Sequence, residues 1–188
     1  MLIIGLDVAT NTGIAVGNSS DKPKCWSVNL GEPNRAGKMS KADKDRLDNR
    51  RFSNVLKLTH GLIETHKPDL IVIEAFIGGM NASAYLIGLV ACIRGCAFNQ
   101  GVKCELVFPA TTRKHFIGKA KTSKDFPGLK PAKAKLAIKQ EVKARCEQMK
   151  WVIPDLDAAD AAATWDWACA THARQYQAKP SGGLFKNG

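Results

Sequence analysis

The chain has 188 residues, 45% of them hydrophobic, which is enough for one domain with a proper core and argues against a linker or disordered segment. A net charge of +11 points to a polyanionic partner more readily than to an acidic small molecule. No apolar run approaches the roughly 20 residues that span a bilayer, no targeting segment precedes the first apolar stretch, and the six cysteines include no CxxC pair. A cytoplasmic location is expected, with neither a zinc site nor a disulfide framework.

Leu2, Ile3, Ile4 and Leu6, then Ile14, Ala15 and Val16, read as two strands covered on both faces and joined by the polar turn Thr10-Asn11-Thr12-Gly13. Asp7 lies in the first of them. A buried carboxylate must be hydrogen-bonded, paired or coordinated, so Asp7 either caps the turn or holds a cation. Lys24 to Leu30, with Trp26 and Val28 alternating against polar neighbours, makes a third strand of a meander. Gly31 to Lys41 is a charged loop. Ser40, with Asp43 behind it, caps a long amphipathic helix from about Lys41 to Thr65. Lys67-Pro68-Asp69 ends it.

Leu70 to Ala75 is a second apolar strand with an acid, Glu74, at its C-terminal end. Phe76 to Gly79 is a loop, and Asn81 to Asn99 a helix of small residues that permits close backbone approach to the sheet or to another subunit. Lys103 to Phe108 is a further strand ended by Pro109, and Thr111 to Phe116 a short basic helix. Gly118 to Lys130 has no periodicity. Pro131 opens another helix, with Leu136, Ile138, Val142, Cys146 and Met149 as its apolar stripe. A last helix begins within Asp155-Leu156-Asp157-Ala158-Ala159-Asp160 and runs to about Tyr176. Residues 1–177 form a single domain and residues 178–188 a frayed tail.

Two patterns carry the chemistry. Between Lys103 and Lys150 stand thirteen Lys and Arg against four acids, so most of the net charge lies on about a quarter of the chain and forms a basic face. Asp157 and Asp160 are three apart and project from one face of a helix. Asp155 or Asp157 could be an N-cap, but Asp160, ahead of Ala161-Ala162-Ala163, is not explained that way. Asp7, Glu74 and the helical aspartates together would repel one another unless divalent cations bind, and Mg²⁺ suits such oxygens. Two ions can activate water and stabilise the leaving oxygen of a phosphodiester. The combination reads as a nuclease.

The order of strand Asp7, strand Glu74 and helical Asp157-Ala-Ala-Asp160 resembles the RuvC family of Holliday-junction resolvases, within the RNase H-like superfamily. GLDVATNTGIAV is similar to that family's first hairpin, VIEAFIGGMNASAYLIGLVACIRG to its second acidic strand and following helix, FPATTRKHFIG to the run before its basic helix, and DAADAAATWDWACATH to its last helix. The resemblance implies an α/β RNase H-like fold, with a five-stranded mixed sheet whose first three strands are antiparallel, flanked by helices. It implies a homodimer joined through the helix from Asn81 to Asn99, each subunit nicking one strand of branched DNA with two Mg²⁺ ions, for which Mn²⁺ may substitute.

In that reading Asp7 bridges the ions, Glu74 and Asp160 complete the ligand set, and Asp157 ligates or orients. Arg113 and Lys133 match basic positions near the scissile phosphate, and Phe76 resembles an aromatic that stacks on opened bases. Lys114, Lys119, Lys121, Lys124, Lys130 and Lys135 join Arg113 and Lys133 as DNA contacts, with His115 a further phosphate contact. The longer segment from Gly118 to Lys130 and the charged loop from Gly31 to Lys41 depart from the family pattern, a divergence that would suit a phage-type member. Competing readings keep the fold but act on RNA or an RNA–DNA hybrid, or bind junctions without cutting them. An actin-like ATPase would need two lobes, for which the chain is short.

Overall fold

A computed structural model of the chain describes residues 1–32, 39–75 and 83–173. The elements run β1 (Leu2–Asp7), β2 (Asn11–Asn18), β3 (Lys24–Asn29), α1 (Lys41–His66), β4 (Leu70–Glu74), α2 (Ala84–Asn99), β5 (Lys103–Val107), α3 (Pro109–Ile117), α4 (Pro131–Gln148) and α5 (Leu156–His172), with a 3₁₀ turn at Ser123–Asp125. One five-stranded sheet has the order β3-β2-β1-β4-β5. The first three strands are antiparallel, and β4 and β5 run parallel to β1. This is the mixed sheet that the sequence led us to expect. Among the described residues no helix is long and apolar enough to cross a membrane.

Each central strand feeds two cores because successive side chains point to opposite faces. Ile3, Leu70 and Val72 face Val142, Cys146, Ala161, Ala162 and Trp165 on one side. Ile4, Leu6, Ile71 and Ile73 face Val55, Leu62, Leu89 and Ile93 of α1 and α2 on the other. The same alternation puts Asp7 and Glu74 on the α5 side. Leu6 pairs with Ile73 in the parallel register, so the two acids sit one residue further on, at the adjacent C-terminal ends of neighbouring strands.

Helix α5 approaches this face closely because two glycines let it. A Cβ on Gly5 would come within 2.6 Å of the Ala161 carbonyl and the Trp165 amide nitrogen, and one on Gly13 would overlap the carbonyl of Asp157. Gly13 pairs with Asp7 across the β1–β2 ladder. The hairpin therefore presents bare backbone at the point where the first turn of α5 must pass.

Several boundaries differ from the sequence expectation. Helix α2 starts at Ala84, because the Ser83 hydroxyl accepts from the Leu86 amide and acts as its cap; Asn81 lies outside the described residues. Helix α3 starts at Pro109, whose missing N–H is harmless at a first helical position, so that proline opens the helix as well as ending β5. Helix α5 ends at His172, where Ala173 turns extended, short of Tyr176, which is outside the described residues. Leu136 is exposed; the buried stripe of α4 is Ala134, Ile138, Val142 and Cys146. Phe76, residues 33–38 of the charged loop and the tail also lie outside the described residues.

Candidate metal centre

Four carboxylates come together at the C-terminal ends of β1 and β4. Asp155 makes this possible without belonging to the group: its Oδ1 accepts from the Ala158 amide at 2.9 Å and from the Ser27 hydroxyl at 2.7 Å. It caps α5 and pins that cap to β3, which leaves Asp157 and Asp160 free to project toward β1. Asp157 lies beside the hairpin, where Asn11 Nδ2 donates to its Oδ2 at 2.6 Å. Asp160 is buried.

At the centre of the group stands a lysine. Lys139 Nζ is 2.7 Å from Asp157 Oδ1, 2.9 Å from Asp160 Oδ2 and 3.3 Å from Asp7 Oδ2. Its stem comes from α4, where it follows the buried Ile138 and precedes the buried Val142 by one turn. Sequence reasoning passed over it and singled out Lys133, which is exposed on the same helix. The position of Lys139 at the edge of the buried stripe was the available signal: its chain can run along the α4–α5 contact with the ammonium at the end.

The electrostatics of the group are those of carboxylates short of positive charge. Burial, reinforced by the neighbouring Asp160, pushes Asp7 from 3.8 up to about 6. Burial, reinforced by Asp7 and Asp160, pushes Glu74 from 4.5 up to about 8, against the pull of Arg113 and Lys139. Burial also raises Asp160, despite Lys139. For Asp157 burial acts in the same direction but is outweighed by the hydrogen bonds from Lys139 and Asn11, and its pKa falls. Burial alone would lower Lys139; Asp7 and Asp160, with hydrogen bonds to Asp157 and Asp160, raise it instead and hold it charged.

Among the described residues no three Asp, Glu, His or Cys side chains are arranged as a ligand shell by themselves. They are arranged around a cation all the same. Three carboxylate oxygens converge on a single ammonium, and burial with the charges of Asp7 and Asp160 pushes the neighbouring Glu74 toward its protonated form. That donor set fits Mg²⁺ or Mn²⁺ better than a soft metal.

The expected nucleic-acid contacts divide. Arg113 projects from α3 near enough to pull on both Glu74 and Asp160, and its buried Nε has no hydrogen-bond partner among the described residues. Lys114, Lys119, Lys124, Lys130, Lys133 and Lys135 are exposed. Lys121 is not available in the same way: it meets both oxygens of Glu141, at 2.6 and 2.7 Å. His115 is exposed too, but its Nε2 lies 2.8 Å from Oδ2 of the buried Asp166, a contact that ties α3 to α5.

No family model matches the chain, and no curated protein matches it significantly. Solved structures do. Thermus thermophilus RuvC aligns over 91% of this chain and 96% of its own, with a TM-score of 0.53 and 17% sequence identity. T. thermophilus RuvC in complex with a Holliday junction substrate aligns over 94% and 98%, with a TM-score of 0.59 and 13% identity. The yeast mitochondrial Holliday junction resolvase aligns over 92% and 81%, with a TM-score of 0.49 and 15% identity. At such identities the likeness is one of fold, and the fold of this chain is the RNase H-like fold of RuvC.

Proposed function

We propose that the protein is a divalent-metal-dependent endonuclease that resolves four-way or otherwise branched DNA by paired nicks. The observation that carries this reading is the convergence of Asp7, Asp157 and Asp160 on one cationic nitrogen, with Glu74 alongside, in a chain of RuvC fold. Asp7, Glu74, Asp157 and Asp160 would hold the ions. When bound, two such ions supply an activated water and stabilisation of the leaving oxygen.

The chain's own residues do the rest. Asn11 fixes the rotation of the Asp157 carboxylate, leaving one oxygen to face the centre. Asp155 and the two glycines hold α5 so that Asp157 and Asp160 meet the strand ends. Arg113, whose charge acts on Glu74 and Asp160, would hold a phosphate oxygen and offset charge that develops on it. The exposed lysines of residues 114–135 would track the backbone of the DNA arms, a contribution that carries no sequence information.

Paired nicks on a two-fold substrate require two subunits. The α1–α2 surface supports that arrangement. A groove of about 690 Å³, lined by residues that include Leu56, His60, Gly61, Cys92, Gly95 and Cys96, opens beside Phe98, which is 83% exposed. An exposed ring and an apolar groove on one face offer a surface that a second copy would cover. Sedimentation velocity should give a dimer, and Gly95→Arg a monomer that cuts one strand at a time.

The decisive assay compares a labelled four-way DNA junction, a linear duplex and an RNA–DNA hybrid, each with Mg²⁺, for wild type and Asp7→Asn. Symmetric nicks in the junction alone, lost in the variant while binding persists, are expected. Hybrid cleavage would transfer the assignment to an RNA-directed nuclease, and tight junction binding without any cutting to a binding protein.

A further inference from the structure

We infer that Lys139 is a resident counter-ion of the carboxylate centre, occupying the cation position in the metal-free protein and displaced when a divalent ion loads. The inference rests on the metal-centre reading above and concerns how that centre is filled.

An ammonium has three N–H donors and no acceptor. All three of its nearest acidic neighbours, at 2.7, 2.9 and 3.3 Å, belong to the candidate ligand set. The oxygens that Lys139 uses on Asp7 and Asp160 are oxygens an ion would need, and two cations cannot share them at contact distance without strong mutual repulsion. Asp157 differs, because its second oxygen is already committed to Asn11 and only Oδ1 remains to be contested.

Lys139 is singled out among the lysines of α4. Lys133 and Lys135 are exposed and Lys143 is half-buried like Lys139, but it is Lys139 whose ammonium meets Asp7, Asp157 and Asp160. The chain on which it rides has four rotatable carbons, so the ammonium can leave the centre without any shift of the helix. The device holds the mutually repelling Asp7, Asp157 and Asp160 together when no metal is present. Its cost is weaker metal binding, since every ion that enters must evict a positive charge.

Binding of Mn²⁺ alone, without DNA, followed by the loss of free-ion EPR signal, tests this. Lys139→Gln should bind Mn²⁺ at least about tenfold more tightly than wild type, since the competing charge is gone. In EDTA the same variant should melt at a lower temperature than wild type, and saturating Mn²⁺ should close that difference. Equal or weaker Mn²⁺ binding by Lys139→Gln overturns the inference while leaving the metal centre intact.

Failure of wild type and variant alike to bind the ion overturns the metal centre, and the inference with it. A readout on wild type itself guards against a variant that does not fold. Acetylation of Lys139 by an N-hydroxysuccinimide ester, read by peptide mass spectrometry, should rise several-fold on adding Mn²⁺. If the ion binds and labelling does not change, Lys139 is not displaced and the inference falls.

Discussion

Replacing Glu74 by Gln should stabilise the metal-free protein while abolishing cleavage. Glu74 lies at the end of β4 against Asp7 and Asp160, where burial and those two charges push it from 4.5 to about 8. Between these values the folded protein keeps a proton that the unfolded chain has released, so stability falls as pH rises through this window. Holding that proton costs about 1.4 kcal/mol for each pH unit above 4.5, or about 3 kcal/mol at pH 7. Glutamine has the same shape and no proton to hold. For a domain of this size 3 kcal/mol corresponds to a rise in Tm of about 6 to 12 °C. Thermal melts in EDTA at pH 5, 7 and 8 would measure it: the gap between variant and wild type should be small at pH 5 and widen with pH. Mg²⁺ should then raise the Tm of wild type at pH 8 far more than that of Glu74→Gln. A variant no more stable than wild type at pH 8, or a gap independent of pH, would refute the argument that Glu74 is a destabilised ligand waiting for charge.

Three other substitutions probe the frame and the basic face. Gly13→Ala drives a methyl group into the Asp157 carbonyl, so it should cost about 1–3 kcal/mol in a urea melt and reduce cleavage more than that loss explains; a variant with unchanged melting and activity would show that α5 is free to retreat. Asp155→Ala removes the cap of α5 and its bond to Ser27, an expected loss of about 1–2 kcal/mol by the same melt, and an unchanged midpoint would deny the cap that role. Gln at Lys119, Lys124, Lys130 or Lys135 should each lower the salt dependence of junction affinity by about one unit of slope, whereas Lys121→Gln, already neutralised by Glu141, should change it little. Fluorescence anisotropy across a salt series separates these outcomes.

The architecture was legible because strand parity and helix periodicity are local. Asp7 and Glu74 each end an apolar run, and once both strands are parallel neighbours their shared face follows from the period of two. Asp157 and Asp160 declared themselves by spacing, and the choice between Asp155 and Asp157 as the cap awaited the backbone, which assigns it to Asp155. Lys139 was hidden for a different reason. In a helix with lysine at four positions, residue type says nothing about which ammonium turns inward, and only the packing of α4 on α5 decides it. Asn11 was hidden too, since a polar residue in a turn needs no partner to be explained, and its bond to Asp157 spans 146 residues of chain. The exposure of Leu136 and the pairing of Lys121 with Glu141 belong to the same class: they depend on which side of α4 meets its neighbours.

Those placements have a common origin in the composition of α5. Its Ala158, Ala159, Ala161, Ala162 and Ala163 are all buried, and opposite them the sheet offers Gly5 and Gly13 in place of side chains. Small residues on both sides bring the helix backbone to the strands, and only at that distance can carboxylates as short as those of aspartate reach across to Asp7. A longer side chain at either glycine would widen the gap and part the acids; a Glu at 157 or 160 would restore reach at the cost of rotamer freedom and a looser centre. Core packing and the candidate ligand set are therefore one design in this chain. The repulsion among the acids is opposed by Trp165, which is fully buried, donates from its indole to the Gly17 carbonyl at 3.2 Å and anchors the middle of the same helix. Activity should then be more sensitive than stability to changes at the α5–hairpin contact, since a shift of a few tenths of an ångström costs little packing but misplaces every oxygen the centre needs.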